Sequence, residues 1–371
     1  MATIKRLIIM SLTVGLSIAG CVNSNQANQP ELEEEPKIVE IEPSSDPQSL
    51  KHLYLADSLA LERNLYPQYE DITIESYTKA IEADPKNAWA YEGRANFYNR
   101  LGQYDKAIAD LTQSIAIDPQ NISAYKSRAE IYNYPLNEEE KAIADYTKAV
   151  ALATKDKSTR RERVQNLPFY KLYYIDLLYL SRAFVFFELE QFDCAIEDLT
   201  QRIALNPRNA ENYHLRALAY QRAKQYENAI ADANKAIAIS PNYAHAHRRR
   251  AEIYRELKQY NKAIADYTKA IFLYADYFDS NLYSPDYVSA YEGRAEIYGE
   301  LKQYNKAIAD YDNLLAVYPD YAYAYKSRSE FYKKLDNISQ AKQDLSQAAS
   351  LFKEQENVEE YQIVQQLLQQ L

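Results

Sequence analysis

His245 and His247 open the run "HAHRRR", where two imidazoles beside three guanidiniums suggest two chemistries: metal ligation by the histidines, or capture of an anion by Arg248 and Arg249. Positions two apart on a helix point to nearly opposite sides, so these histidines cannot share one ion without further ligands, and no metal is expected. Holding a carboxylate or an acidic peptide asks only that the guanidiniums stand on one open face, with His214 and Arg222 brought nearby if the chain is periodic. Glu252 and Glu256 lie among these cations, so a solvated face of mixed charge is the expectation for this stretch. No GxGxxG, Walker loop, HExxH, CxxC or GxSxG occurs, and six glycines in 371 residues leave no phosphate cradle of the usual kind. No catalytic residue and no cofactor follow from the motifs, and Cys194 reads as a small residue on a helix surface.

The elements that must position these residues are legible in the spacing. "AYEGRANFYNRLGQYDKAIADL" from Ala90 and "AYEGRAEIYGELKQYNKAIADY" from Ala290 are nearly one sentence written twice, and Tyr104, Tyr226, Tyr260 and Tyr304 set a period of 34 residues. Counting the first residue of each block as position 1, apolar or aromatic residues recur at positions 4, 8 and 11 and then at 17, 20, 24 and 27, which is helical spacing in two successive stretches. Proline closes several blocks (Pro85, Pro119, Pro207, Pro241, Pro319), where the next helix must begin. Two antiparallel helices per block follow, and a period in this range means stacked supersecondary units.

This pattern resembles the tetratricopeptide repeat. In the block from Ala88 the family's positions are filled by Tyr91 at 4, Ala95 at 8, Tyr98 at 11, Tyr104 at 17, Ala107 at 20 and Pro119 at 32. The expected fold is all-α, an α-solenoid forming a right-handed superhelix of about eight repeats over 50–355, near 54–87, 88–121, 122–155, 176–209, 210–243, 244–277, 288–321 and 322–355. Residues 356–371 then form a capping helix, with Tyr361, Val364, Leu368 and Leu371 on one face. Insertions precede Asp176 ("KDKSTRRERVQNLPFYKLYY") and Val288 ("DYFDSNLYSPDY"); each reads equally as an irregular loop or a partner contact. Position 15, usually glycine in the family, is Gly102 in one block but Glu190, Lys224, Lys258 and Lys302 in others, so a less tight turn is expected there.

Two recurrences depart from the family. Arginine stands at position 7 of seven blocks and aspartate near position 23 of the same seven, predicting bridges such as Arg94–Asp110, Arg250–Asp266 and Arg294–Asp310 between the helices of a unit. Tyrosine appears 36 times, which suggests an aromatic binding face, yet twenty copies occupy positions 4, 11, 17 and 24, where the family packs its core.

The resemblance also implies where a ligand would lie. In the family, positions 2, 5, 6, 9, 12 and 13 of the first helix line a concave groove, and here they give Trp89, Glu92, Asn96, His214, Leu218, Arg248, Arg249, Glu252, Arg255, Glu292 and Tyr323. The lysine and asparagine at positions 5 and 9 of carboxylate-clamp members are absent: Glu92 precedes Asn96, and Arg248 precedes Glu252.

At the other end of the chain, Lys5, Arg6 and the run "LIIMSLTVGL" read as a signal peptide over 1–20, too short to span a bilayer comfortably. Ile18-Ala19-Gly20-Cys21 resembles the bacterial lipobox, which implies acylation of Cys21 and a lipid anchor on the extracytoplasmic side, periplasmic by expectation. Residues 21–49, acidic and proline-containing, are expected to be a disordered tether. A formal charge of −10 argues against nucleic acid as a partner. The expected function is docking of proteins or peptides of the cell envelope, of the kind that assembles outer-membrane β-barrels, pili or cell-wall hydrolase complexes. An unrecognised glycan-acting enzyme and a passive spacer are the rival readings.

Overall fold

The computed structural model describes residues 70–155, 169–277 and 284–371, with Gln48 and His52 besides. The signal peptide 1–20, Cys21, the tether to Ser49 and the first helix of the block at 54–87 lie outside the described residues. Among those described there are sixteen α-helices and no strand.

The first, α1 (Glu70–Ala83), is the second helix of its block. Seven helix pairs follow: α2 (Ala88–Arg100) with α3 (Tyr104–Ile117), α4 (Ile122–Asn133) with α5 (Glu139–Thr154), and α6 (Phe169–Glu188) with α7 (Phe192–Leu205). Next come α8 (Ala210–Arg222) with α9 (Tyr226–Ile239), α10 (Ala244–Glu256) with α11 (Tyr260–Tyr277), α12 (Pro285–Glu300) with α13 (Tyr304–Val317), and α14 (Ala322–Lys334) with α15 (Ile338–Glu354). The last helix is α16 (Val358–Gln369). Each helix packs on the next in chain order, and first helices also touch one another: α2 with α4, α8 with α10, α10 with α12. The architecture is an all-α solenoid of stacked helix pairs.

Small side chains let the paired helices approach. Positions 8 and 20 are both alanine in six units, from Ala95 with Ala107 to Ala295 with Ala307, each almost wholly buried; Ser329 with Ala341 completes the seventh. Between units the fit is by size. Buried Tyr77 and Tyr267 press on Gly93 and Gly293 of the following unit, where a Cβ would stand 2.3 Å and 2.5 Å from the ring. Tyr146 and Tyr311, in the same register, meet Ser181 and Ser327 through their hydroxyls. Where that register holds Ala233 instead, the following unit carries Arg249.

Outside the longer turn between α4 and α5, the turns between paired helices are tight, contrary to expectation. Glu190, Lys224, Lys258, Lys302 and Asp336 take φ between 56° and 59°, the left-handed region that Gly102 occupies at 70°. The next amide then donates back to the helix, as Gln103 does to Tyr98 and Gln303 to Tyr298, at 2.8 and 2.7 Å. This closes the helix end in a Schellman arrangement whichever residue stands there. Tertiary packing overrides the local preference for glycine, at a strain of roughly 1–2 kcal/mol per residue.

The described parts of the insertions are helical rather than irregular. α6 begins at Phe169, ahead of its unit's first position at Asp176, while α11 runs on to Tyr277 and α12 starts at Pro285. At the far end Val364 of α16 is buried with Tyr361, Leu367, Leu368 and Leu371 packed around it, and Val358 is exposed. Among the described residues no helix is long and apolar enough to cross a membrane.

Candidate docking face

Two sets of charged residues are built on this frame. The first lies between the helices of each unit. Arg94 donates from Nε and Nη2 to the two oxygens of Asp110, at 2.7 and 2.8 Å, and from Nη1 to Thr78 Oγ1 of the preceding unit at 3.1 Å. Arg128, Arg182, Arg216, Arg250, Arg294 and Arg328 repeat this on Asp145, Asp198, Asp232, Asp266, Asp310 and Asp344. Their third partners are Thr112, Thr147, Thr200, Asn234, Thr268 and Asp312. Each fork thus fixes three helices, two within a unit and one before it. Tyrosines at positions 4 and 11 flank the guanidinium, as Tyr91 and Tyr98 do at 5.8 and 5.9 Å from Arg94. Such rings favour a cation above their faces.

The second set stands on the first helices α8, α10 and α12, and it occurs at one place. Arg248 bonds Glu252 one turn on and reaches Asp286 Oδ1 at 2.7 Å. Arg249 Nη1 donates to Glu252 Oε2 at 2.5 Å and to Gln221 Oε1 of α8 at 3.1 Å, and Gln221 Nε2 donates to Glu256 at 2.5 Å. His245 Nδ1 lies 3.2 Å from both Asp286 Oδ2 and the Tyr274 hydroxyl. His214 closes the group from α8, its ring 5.9 Å from that of His245 and edge-on to Tyr243 at 5.6 Å. Arg255 bonds Glu296 and Tyr260 bonds Glu300, carrying the stitching from α10 and α11 to α12.

The expectation of a solvated mixed-charge face at Arg248 and Arg249 is therefore corrected: the arginine side chains are only 12% and 11% exposed, and that of Glu252 17%. Ala233 stands in the register that elsewhere holds tyrosine or leucine and that faces position 6 of the next unit, which here is Arg249. Burial works against charge on Arg248 and Glu252. Attraction to Glu252 and Asp286 prevails at Arg248 and raises the guanidinium's pKa, and attraction to Arg248, Arg249 and Arg255 prevails at Glu252 and lowers the carboxyl's, against the repulsion of Asp286. Burial would likewise lift Asp286, but the His245 hydrogen bond and the Arg248 charge hold it well below the usual carboxylate range. His214 is driven well below the ordinary histidine value, first by burial and then by Arg249, and stays neutral. Arg248 Nε, Arg249 Nε and His214 Nδ1, all buried, find no hydrogen-bond partner among the described residues.

The two histidines of "HAHRRR" separate as helix geometry requires. His247 turns to the Pro241 carbonyl at 3.0 Å and to Asp266 of the ladder, while His245 turns to Asp286. Among the described residues no group of three or more His, Cys, Asp or Glu is arranged to hold a metal ion.

The other concave residues are spread along the array. Trp89, 57% exposed, and exposed Asn96 stand on α2 with buried Glu92, whose carboxylate accepts from Asn121 Nδ2 at 2.8 Å. Leu218 is half-buried on α8. Glu292 on α12 accepts from the Tyr321 hydroxyl at 3.0 Å, and its carboxyl is raised by burial, which that bond partly offsets. Tyr323 packs edge-on against Phe352 at 4.9 Å and accepts from Asn357, so the start of α16 sits beside it. Asp286 and Tyr274 escaped the sequence reading because neither falls on a groove position: Asp286 belongs to the insertion and Tyr274 to a second helix.

Comparison with known proteins bears on the fold. Models of the tetratricopeptide repeat match residues 76–109, 210–243, 244–277 and 288–321, and a TPR repeat model matches 95–133. Among solved structures, the C-terminal part of a TPR repeat-containing protein from Cytophaga hutchinsonii is 21% identical, covers 72% of this chain and 95% of that one, and superposes with a TM-score of 0.54. PilW, a widely conserved type IV pilus biogenesis factor, is 19% identical over 66% of this chain and 99% of its own, with a TM-score of 0.45. YrrB, a TPR protein with an unusual peptide-binding site, is 19% identical over 58% of this chain and 96% of its own, at 0.44. No curated protein matches the chain. The matched segments are tetratricopeptide repeats.

Proposed function

We propose that this chain is a non-enzymatic docking scaffold, held to a bacterial envelope membrane by lipid on Cys21, on the extracytoplasmic and by preference periplasmic side, that receives proteins or peptides along its first helices. The observation that carries the reading is a contrast between two registers. Position 7 is arginine in all seven units and its aspartate never varies, whereas position 5 runs Glu92, Lys126, Leu180, His214, Arg248, Glu292, Lys326. Identical rungs stack the array; a face whose chemistry changes from unit to unit is one that reads a partner. The rival enzyme reading needs two carboxylates facing across a recess. The recesses beside Lys258, along α15 and α16, and beside Leu371 hold one acidic side chain between them, Glu330.

A photo-crosslinking residue placed at Leu180, Leu218 or Glu296, with exposed ladder-side Thr200 as control, tests the face in intact cells. Discrete protein adducts from the first three and not from Thr200 are expected. Equal labelling, or none, would favour the spacer. The anchor is tested separately: Cys21→Ala should release the chain from the membrane fraction, and unchanged sedimentation would remove lipidation from the proposal.

A further inference from the structure

Asp286 is the one carboxylate on the docking face that reaches an arginine from outside the repeat pattern. It enters from the extra turn that the second insertion adds to α12, lands on Arg248 Nη2 at 2.7 Å and on His245 at 3.2 Å, and stays one-third exposed while the arginine beneath it is buried. The groups around it come from four helices: His214 on α8, His245, Arg248, Arg249 and Glu252 on α10, Tyr274 on α11, and its own α12. Without Asp286 the inner group holds two guanidiniums against the single carboxylate of Glu252, with two imidazoles alongside. Three buried nitrogens there, Arg248 Nε, Arg249 Nε and His214 Nδ1, already lack a hydrogen-bond partner among the described residues. The first insertion is laid out in parallel: α6 also begins early, and Tyr174 in its added turns stands against Ser123, position 2 of the preceding unit, just as Asp286 stands against His245 at position 2 of its own preceding unit.

We propose that Arg248, with Arg249 behind it, is a carboxylate-binding subsite of the docking face, and that Asp286 fills it in cis until a partner's carboxylate displaces it. The inference rests on the docking reading and adds its regulation. Carboxylate replaces carboxylate, so the exchange moves no net charge into the buried group. The bonds lost to Asp286 are regained by the incoming group, while the released Asp286 is already at the surface. A partner therefore binds with an affinity lowered by the fraction of time Asp286 is seated.

Sodium acetate on the full chain is the first probe. Thermal unfolding in acetate against equal sodium chloride should show Asp286→Asn and Asp286→Ala gaining midpoint with an apparent acetate affinity at least about tenfold above that of the unsubstituted chain, by linkage of ligand to the folded form. Asp310→Asn, which strips the carboxylate from a ladder rung sealed between helices, should show no such gain. The side-chain Nε–Hε resonances of Arg248 and Arg249 give a second readout that does not depend on stability, and should shift with acetate in the Asp286 variants alone. N-acetylalanine and N-acetylglutamine set against N-acetylglutamate α-amide separate a chain-terminal from a side-chain carboxylate as the natural source. Equal acetate response in the unsubstituted chain and the Asp286 variants, or an equal response in Asp310→Asn, overturns the proposal. Crosslinks from Leu180 or Glu296 would survive that result, so failure here is distinguishable from failure of the docking reading.

Discussion

The ladder and the cluster on α8, α10 and α12 both set arginine against carboxylate, and they differ in what the pairing does. In the ladder the partners sit at fixed positions of every unit, the aspartate's side chain is 3–10% exposed, and each guanidinium spends all three faces of its fork on protein. In the cluster the partners come from an insertion and from unrepeated positions, Asp286 is 33% exposed, and two guanidinium nitrogens are left over. Repetition with full satisfaction is the signature of stacking. A single, incompletely satisfied copy on the variable face is what the proposed subsite rests on.

The sharpest break between them is energetic. Arg294→Ala leaves Asp310 buried and unpaired and should cost about 3–5 kcal/mol, the range for removing one partner of a buried pair. Asp286→Ala, at a partly exposed carboxylate, should cost about 1–2 kcal/mol, since solvent screens it and Glu252 still holds Arg248. Repeat arrays lose stability locally, so amide exchange in α12 and α13 is the measurement for the first and in α8 and α10 for the second. Double-mutant cycles on Arg294 with Asp310 and on Arg248 with Asp286 complete it. Equal coupling energies would erase the distinction.

A smaller effect sharpens it through pH. Glu292 stands on α12, and burial raises its carboxyl above the ordinary value even though Tyr321 donates to it. A raised carboxyl holds its proton more firmly folded than unfolded. Its contribution favours the fold below the unfolded value, fades as pH climbs through the folded value, and leaves the ionised group a net cost at neutrality. Glu292→Gln keeps the oxygen that accepts from Tyr321 and removes the charge, so it should raise stability at pH 7 by up to about 1 kcal/mol and flatten the decline just above the usual carboxylate range. Asp286 carries the opposite sign: depressed in the fold, it contributes above its unfolded value and is lost only as pH falls through the acidic range. Urea midpoints should show Glu292→Gln flattening the decline above the usual carboxylate range and Asp286→Asn flattening the loss of stability below it; flattening of both in one window would show that the two carboxyls share one environment.

What could be read ahead of the structure follows the same division. Alanines at positions 8 and 20, and arginine with aspartate at 7 and 23, are visible because repetition converts a contact into a count: seven copies make a pairing legible that one copy would hide. The burial of Arg249 was not legible, since the register that faces it holds Ala233, a residue that looks unremarkable until it is compared with Tyr146, Tyr267 and Tyr311. Asp286 had no register to be compared with. The arrival of an insertion at a groove position depends on how far a lengthened helix carries it.

The turns give the finest test, because there the backbone is uniform while the residues are not. Lys302 holds φ at 57° with its side chain exposed, and Gly102 does the same task at 70° in the sister unit. A left-handed lysine is strained by roughly 1–2 kcal/mol, part of which glycine returns through the greater freedom of the unfolded chain. Lys302→Gly should therefore stabilise the α12–α13 unit by about 0.5–1 kcal/mol, with slower amide exchange at Gln303, whose N–H donates to Tyr298 at 2.7 Å. Gly102→Lys should lose about the same amount at α2–α3, where the matching bond joins Gln103 to Tyr98. Opposite shifts of similar size mean that the two units are one mechanical part carrying different concave chemistry. A Lys302→Gly variant no more stable than its parent would show instead that the lysine stem contributes packing at that corner, and that even the repeated frame is tuned unit by unit.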